Sequence, residues 1–294
     1  GTDPAQAGRI VLVTGHYDSR NSDINDVTGA APGANDDATG TAVSLECARV
    51  LSHQKFPATI VFLAVAGEEQ GLDGSAHFAK MAKTQGWNLE AVLNNDIVGG
   101  NRTPGDRQQN SHLIRVFSEG IPSTASEKEL KMIRALGGES DGPSRQLARY
   151  IAEVSHQYLP ASSFAPLLIF RHDRYLRGGD HSSFNDQGYS AVRLTEFRED
   201  FNHQHQNVRT ENGVEYGDLP KFVDYPYTAN VARLNAAVLA ALAWAPAPPQ
   251  NVHLLTKQLQ NDSTLTWEPS SGGRASGYEV LWRDSTAPFW EHLQ

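Results

Sequence analysis

A single cysteine, Cys47, stands in a chain of 294 residues, so no disulfide can form within it. It falls in an apolar helical pattern and reads as a small buried hydrophobe. No stretch approaches the ~18 consecutive apolar residues of a membrane span, and no signal segment precedes the first apolar run. Lysine and arginine form no run, and a net charge of −9 is spread along the chain. That argues against a nucleic-acid-binding surface. The first strand pattern comes almost at once and the sequence stops abruptly, as if both ends were trimmed. What is present is ordinary for a soluble globular protein: 39% hydrophobic and 20% charged residues. The length suits one large α/β domain or two medium ones, with a core that needs no staples.

Ile10–Tyr17, Ala58–Ala66 and Leu89–Val98 are short apolar runs, the first two rich in β-branched residues. Such runs suit strands buried on both faces of a parallel sheet. Helical patterns lie between them, at Gly40–Gln54 and Ser75–Lys83. Further strands are expected at Leu113–Phe117, Ala165–Phe170 and Ser190–Phe197, and further helices at Ser144–Tyr158 and Asn230–Trp244. The alternation predicts a three-layer α/β/α fold with a mostly parallel central sheet. Gly99–Asp106 and the long polar stretch Arg198–Pro220 read as loops. At Ala245–Pro249 (APAPP) the composition breaks, as in a stiff linker. Residues 1–245 are therefore expected to form the main domain. Residues 246–294 are expected to form a short all-β tail, with strands at Val252–Leu255, Ser263–Trp267 and Gly277–Arg283.

Five motifs place metal-type ligands where these strands end, which is where open α/β sheets bind their ligands. G-H-Y-D-S offers His16, with Asp18 two residues on and able to accept the second ring N–H. P-G-A-N-D-D-A-T-G offers Asp36 and Asp37 just before a helix, where such acids also serve as caps. A-G-E-E-Q-G offers Glu68 and Glu69 after the strongest strand. Two adjacent buried glutamates are costly unless a cation takes one of them, and the other is then free to act as a general base. N-N-D-I-V offers Asp96, and F-N-H-Q-H-Q offers His203 and His205. Carboxylates mixed with imidazoles suit zinc.

These motifs resemble those of the co-catalytic two-zinc aminopeptidases related to bacterial leucyl aminopeptidase. Glutaminyl cyclases, glutamate carboxypeptidases and the transferrin receptor ectodomain are distant relatives of that family. The resemblance runs from about His16 to Trp244. It implies two Zn2+ per chain, held by His16, Asp36, Glu69, Asp96 and a late histidine. Asp36 would bridge the ions and join Asp37 through a cis peptide. Of His203 and His205, the second of a His-x-His pair is preferred. Glu68 is implied to be the general base for a hydroxide bridging the metals, which cleaves amino-terminal residues from peptides. A carboxypeptidase-type relative, using Arg171, Arg174 and Arg177 against a substrate carboxylate, is the first alternative. A single-zinc glutaminyl cyclase-type acyltransferase is the second. Tyr175 and Arg177 are candidates for stabilising the oxyanion or holding the substrate, because Gln204 rather than tyrosine precedes His205. His181, in R-G-G-D-H-S-S-F, is expected to be a structural residue near the site. The resemblance further implies an exported enzyme. The tail resembles the first half of a fibronectin type III module.

Overall fold

The computed structural model describes every residue except 101, 104, 161–163, 258–261, 271–274 and 294. Parts of the predicted 99–106 loop and of the 246–294 tail therefore lie outside the described residues. Six strands form the central sheet: β1 (Arg9–His16), β2 (Thr59–Val65), β3 (Asn88–Asn95), β4 (Leu113–Ser118), β5 (Ala165–Ile169) and β6 (Ala191–Glu196). Their order is β2-β1-β3-β6-β4-β5. β1, β2, β3 and β6 run parallel, whereas β4 pairs antiparallel with β6 and parallel with β5. The helices are α1 (Ala38–Leu51), α2 (Asp73–Thr84), α3 (Glu127–Leu136), α4 (Pro143–Tyr158), α5 (Asp180–Asn185) and α6 (Tyr225–Trp244).

Successive strand side chains point to opposite faces, and β1 shows the consequence. Val11 and Val13 enter a core with α1, α4 and α6, including Val43, Ile151 and Leu239. Leu12 enters a second core with α2 and α5, including Ala79, Ala82 and Phe184. This is the expected three-layer arrangement. It sends the carboxyl ends of β1, β2, β3 and β6 to one edge.

Several elements differ from the sequence expectations for local reasons. α3 was not expected: it buries no residue, and its apolar face is short, with only Leu130 and Ile133 half-buried. Its signal is instead a capping box between Ser126 and Glu129. α6 starts five residues before Asn230, capped by the Asp224 side chain on the Tyr227 N–H. The polar stretch after β6 contains a hairpin, β7 (Arg209–Glu211) and β8 (Val214–Tyr216). Asn212 and Gly213 turn it with φ of 51° and 78°, the left-handed pair that two-residue hairpins favour. In the tail, β9 (Gln250–Leu254) pairs with β10 (Leu265–Glu268), and β11 (Leu281–Trp282) with β12 (His292–Leu293). These are two separate antiparallel ribbons, and the strand expected over Gly277–Arg283 shrinks to two residues. Arg149 on α4 donates to the Pro288 carbonyl at 2.7 Å and so links the segment after α6 to the helices packed on the sheet.

The end of β3 is anchored by a buried amide pair. Asn95 Nδ2 donates to Asn235 Oδ1 at 3.0 Å, and Asn235 Nδ2 donates back to Asn95 Oδ1 at 2.8 Å. Asn235→Leu leaves the Asn95 amide buried without its partner. It should cost about 1–3 kcal/mol, read as a lower urea midpoint with an unchanged m-value, and an unaltered midpoint would show that the pair contributes nothing.

Candidate metal centre

His16 is the last residue of β1 and is fully buried. Its Nδ1 lies 3.0 Å from the Asp18 backbone carbonyl. A carbonyl can only accept, so Nδ1 carries a proton, and Nε2 is the ring nitrogen that can offer a lone pair to a cation. The carboxylate of Asp18 was expected in that role, but it stands 3.5 Å away. Instead it accepts the Glu68 and Glu69 N–H groups at 3.3 and 3.2 Å, fixing the turn after β2.

Asp37 caps α1. Its carboxylate accepts N–H bonds from Gly40, His16 and Ile97 at 3.0, 3.0 and 3.2 Å. One buried side chain thus joins the start of α1 to the ends of β1 and β3. Gly40 is needed there, because a Cβ on it would sit 2.1 Å from the Asn95 carbonyl oxygen. The Asp36–Asp37 peptide is cis. The backbone of Asn35 and Asp36 donates to the two Asp218 carboxylate oxygens at 2.8 and 2.7 Å.

These constraints put the Asp36 carboxylate between two histidines. Oδ1 is 3.3 Å from His16 Nε2, and Oδ2 is 2.9 Å from His205 Nε2. Glu69 Oε1 is 3.0 Å from the same His205 atom. Two sets of ligand-type atoms result, each lying within 4.8 Å of one another: His16, Asp36 and Asp96, and Asp36, Glu69 and His205. Asp36 belongs to both. Asp96 is paired beneath with Arg193 on β6, fully buried, at 2.8 Å. Arg193 also donates to the Gly178 carbonyl at 2.7 Å.

His203 is in neither set. Its ring stacks on Phe222 with centroids 3.6 Å apart and faces Asp200 at 3.3 Å. His181 is buried in α5, with Nε2 3.0 Å from the His172 carbonyl, and it also lies outside both sets. A cleft of about 320 Å3 opens over the two sets. Glu68 lines it without joining either set, alongside Arg20, Leu72, Arg174, Leu176, Arg177 and Gln204. Tyr175 and Arg171 do not line it, and Tyr175 is exposed to solvent. Sequence reasoning missed Arg20, Arg193 and Asp218 as parts of this region, and treated Gln204 only as the residue that stands where a tyrosine was expected. Arg193 carries a signal that could have been read, a charge in the apolar strand Ala191–Glu196.

The electrostatics are those of a site built for cations. Burial opposes a charged His16, yet Asp18, Asp36, Asp37 and Asp96 hold it far above the usual imidazole range. Burial, with the charges of Asp96, Asp180 and Asp36, pushes Glu68 up to about 9. Burial also raises Glu69 and Asp96. Asp36, although buried, is held well below the usual carboxylate range by His16 and His205. Polar atoms point to the same conclusion. His16 Nε2 and Glu69 Oε1 are buried, lie close to neighbouring ligand-type atoms, and make no hydrogen bond among the described residues. Tetrahedral zinc, with ligands at about 2.0–2.1 Å, holds neighbouring ligand atoms roughly 3.3 Å apart. The observed spacings of 2.9, 3.0 and 3.3 Å fit that arrangement.

Residues 1–215 match the model of peptidase family M28. A probable zinc metalloprotease of Leptosphaeria maculans is 48% identical over 286 residues, which is 97% of this chain and 65% of that protein. A probable zinc metalloprotease of Pyrenophora tritici-repentis is 46% identical over 99% of the chain, which spans 60% of it. The chain thus spans less than two thirds of these curated relatives. Among solved structures, an aminopeptidase from Aneurinibacillus sp. strain AM-1 superposes with a TM-score of 0.56 at 20% identity, covering 84% of this chain and 46% of that one. The LapA aminopeptidase of Legionella pneumophila gives 0.55 at 20%, covering 81% and 52%. These two likenesses establish the shared fold. Since the family match covers the whole central sheet and every proposed ligand, the chain belongs to peptidase family M28.

Proposed function

We propose that this chain is a zinc-dependent peptidase that removes amino-terminal residues from peptides. The observation that carries the reading is the sharing of Asp36 between two sets of ligand atoms, with Glu68 beside them in the same cleft. His16 and Asp96 would hold one Zn2+, Glu69 and His205 the other, and Asp36 both. Bound there, the pair would supply Lewis acidity that polarises the scissile carbonyl and acidifies water.

The protein's own groups do the rest. With bound cations offsetting the carboxylate charges that raise it, Glu68 would take a proton from the attacking water at its carboxylate and return it to the leaving amine nitrogen. Asp18 holds the Glu68–Glu69 backbone, so both carboxylates keep their separate positions. Gln204 Nε2 donates to Asp36 Oδ2 at 3.3 Å and steadies the shared carboxylate. The free amino group of a substrate would rest against the remaining carboxylate charge of this small cleft, which favours cutting at a chain end. Arg177 lines the cleft and is the remaining candidate for contact with the substrate, whereas exposed Tyr175 has no such position. Export, and a fibronectin-like character for residues 246–294, belong to the same proposal.

Two measurements test it. Metal analysis of the purified chain should find about two zinc ions, about one in His205→Ala and almost none in Asp36→Ala. A single ion in the unaltered chain would favour the cyclase-type reading. Glu68→Gln should keep the metal content while lowering kcat on an aminoacyl anilide by at least ~100-fold. Near-normal turnover in that variant would remove Glu68 from the role.

A further inference from the structure

His205 differs from the other proposed ligands in what carries it. His16 ends β1, and Asp96 directly follows β3. Glu69 lies in the turn that Asp18 grips, and Asp36 leads into α1 beside its cap, Asp37. His205 sits instead in the loop between β6 and β7, and its backbone is left-handed, with φ of 54°. A non-glycine residue in that region carries a steric cost, and persists only where its surroundings hold it. Whatever holds this loop decides how His205 meets Asp36 and Glu69.

The holding point is residue 218. Three consecutive backbone N–H groups donate to it: Ala34 to its carbonyl at 3.3 Å, Asn35 to Oδ1 at 2.8 Å and Asp36 to Oδ2 at 2.7 Å. Asp218 is buried, and a buried carboxylate is costly unless hydrogen bonds answer for its oxygens. One residue earlier, the Gly217 N–H donates to the Asn202 carbonyl at 3.0 Å and closes the loop that carries His205. Gly217 holds φ of 108°, and a Cβ on it would sit 2.9 Å from Val208 Cγ2, so the closure admits no side chain there. Within the same loop, Gln204 Nε2 and His205 Nε2 both approach Asp36 Oδ2, at 3.3 and 2.9 Å. One loop therefore grips the shared ligand twice, at its carboxylate through residues 204 and 205 and at its backbone through residue 218. His16 and Asp96 are placed without this loop, by Asp37 and the Asp18 carbonyl and by Arg193.

We infer that Asp218 is a positioning residue for the Glu69–His205 cation: it sets His205 against Asp36 and so decides whether the chain retains two ions or one. The inference rests on the two-zinc reading above. It adds a residue that lies outside both ligand sets and does not line the cleft. Its action is through backbone N–H groups, which need two acceptor oxygens in a fixed fork. Residues of this kind, which orient ligands without touching the ion, commonly change metal affinity about 10–100-fold when replaced.

Zinc affinity of the full chain, measured by competition with a chelator, tests this one ion at a time. In His16→Ala the remaining ion belongs to the Glu69–His205 set, and in His205→Ala to the His16–Asp96 set. Adding Asp218→Asn, which turns one acceptor oxygen into an NH2, should weaken the first ion about tenfold or more. It should leave the second within about twofold, as independent sites do. Asp218→Glu keeps both acceptors and should recover part of the lost affinity. A role in stability alone would lower the urea midpoint without separating the two ions. The inference is overturned if Asp218→Asn weakens the ion in His16→Ala no more than the ion in His205→Ala. Should Asp218→Asn not fold, the same comparison with Asp218→Glu decides, with a smaller loss expected in His16→Ala alone. An unaltered chain that binds a single ion rejects the two-zinc reading instead. Asp218 then keeps its role if Asp218→Asn weakens that ion about tenfold, and loses it otherwise.

Discussion

Everything at the functional edge of this protein depends on one constraint: like charges have been buried together. Asp36, Asp37, Glu69 and Asp96 are all less than a tenth exposed, and Glu68 stands beside them. Buried carboxylates repel one another and lose hydration, and a fold tolerates that only with counter-charge supplied. His16, His205 and Arg193 supply part of it. Buried ligand-type atoms left without hydrogen bonds mark where the rest has to come from.

The surrounding structure exists to keep this arrangement from relaxing. Asp37 ties α1 to two strand ends, Asp218 clamps the backbone before the shared carboxylate, and Asp18 grips the Glu68–Glu69 turn. Each is an acid spent on backbone N–H groups rather than on a cation. Acidic motifs in this sequence therefore have two uses that look alike on paper. Adjacent residues take opposite roles, Asp36 facing the histidines and Asp37 facing the backbone.

This explains what was legible in the sequence. The sheet and its flanking helices were readable from buried runs such as Ile10–Tyr17, because burial on both faces leaves a compositional trace. His16, Asp36, Glu69 and Asp96 follow directly on such runs or lead into a helix, so their gathering at one edge was readable too. His205 was not separable from His203 by spacing. Only the stacking of His203 on Phe222 sends that ring elsewhere. Asp218 and Arg193 act across more than 90 residues of chain, and no local pattern encodes such contacts. Surface helix α3 escaped notice because it buries nothing, although its capping box was there to be found.

The central claim is that Asp36 is shared by two cations. Anomalous diffraction at the zinc edge from crystals grown with zinc tests it most directly. The account predicts two peaks about 3.5–4 Å apart, both in contact with Asp36, one beside His16 and Asp96 and the other beside Glu69 and His205. A single peak, or two peaks of which one lacks Asp36, would contradict it.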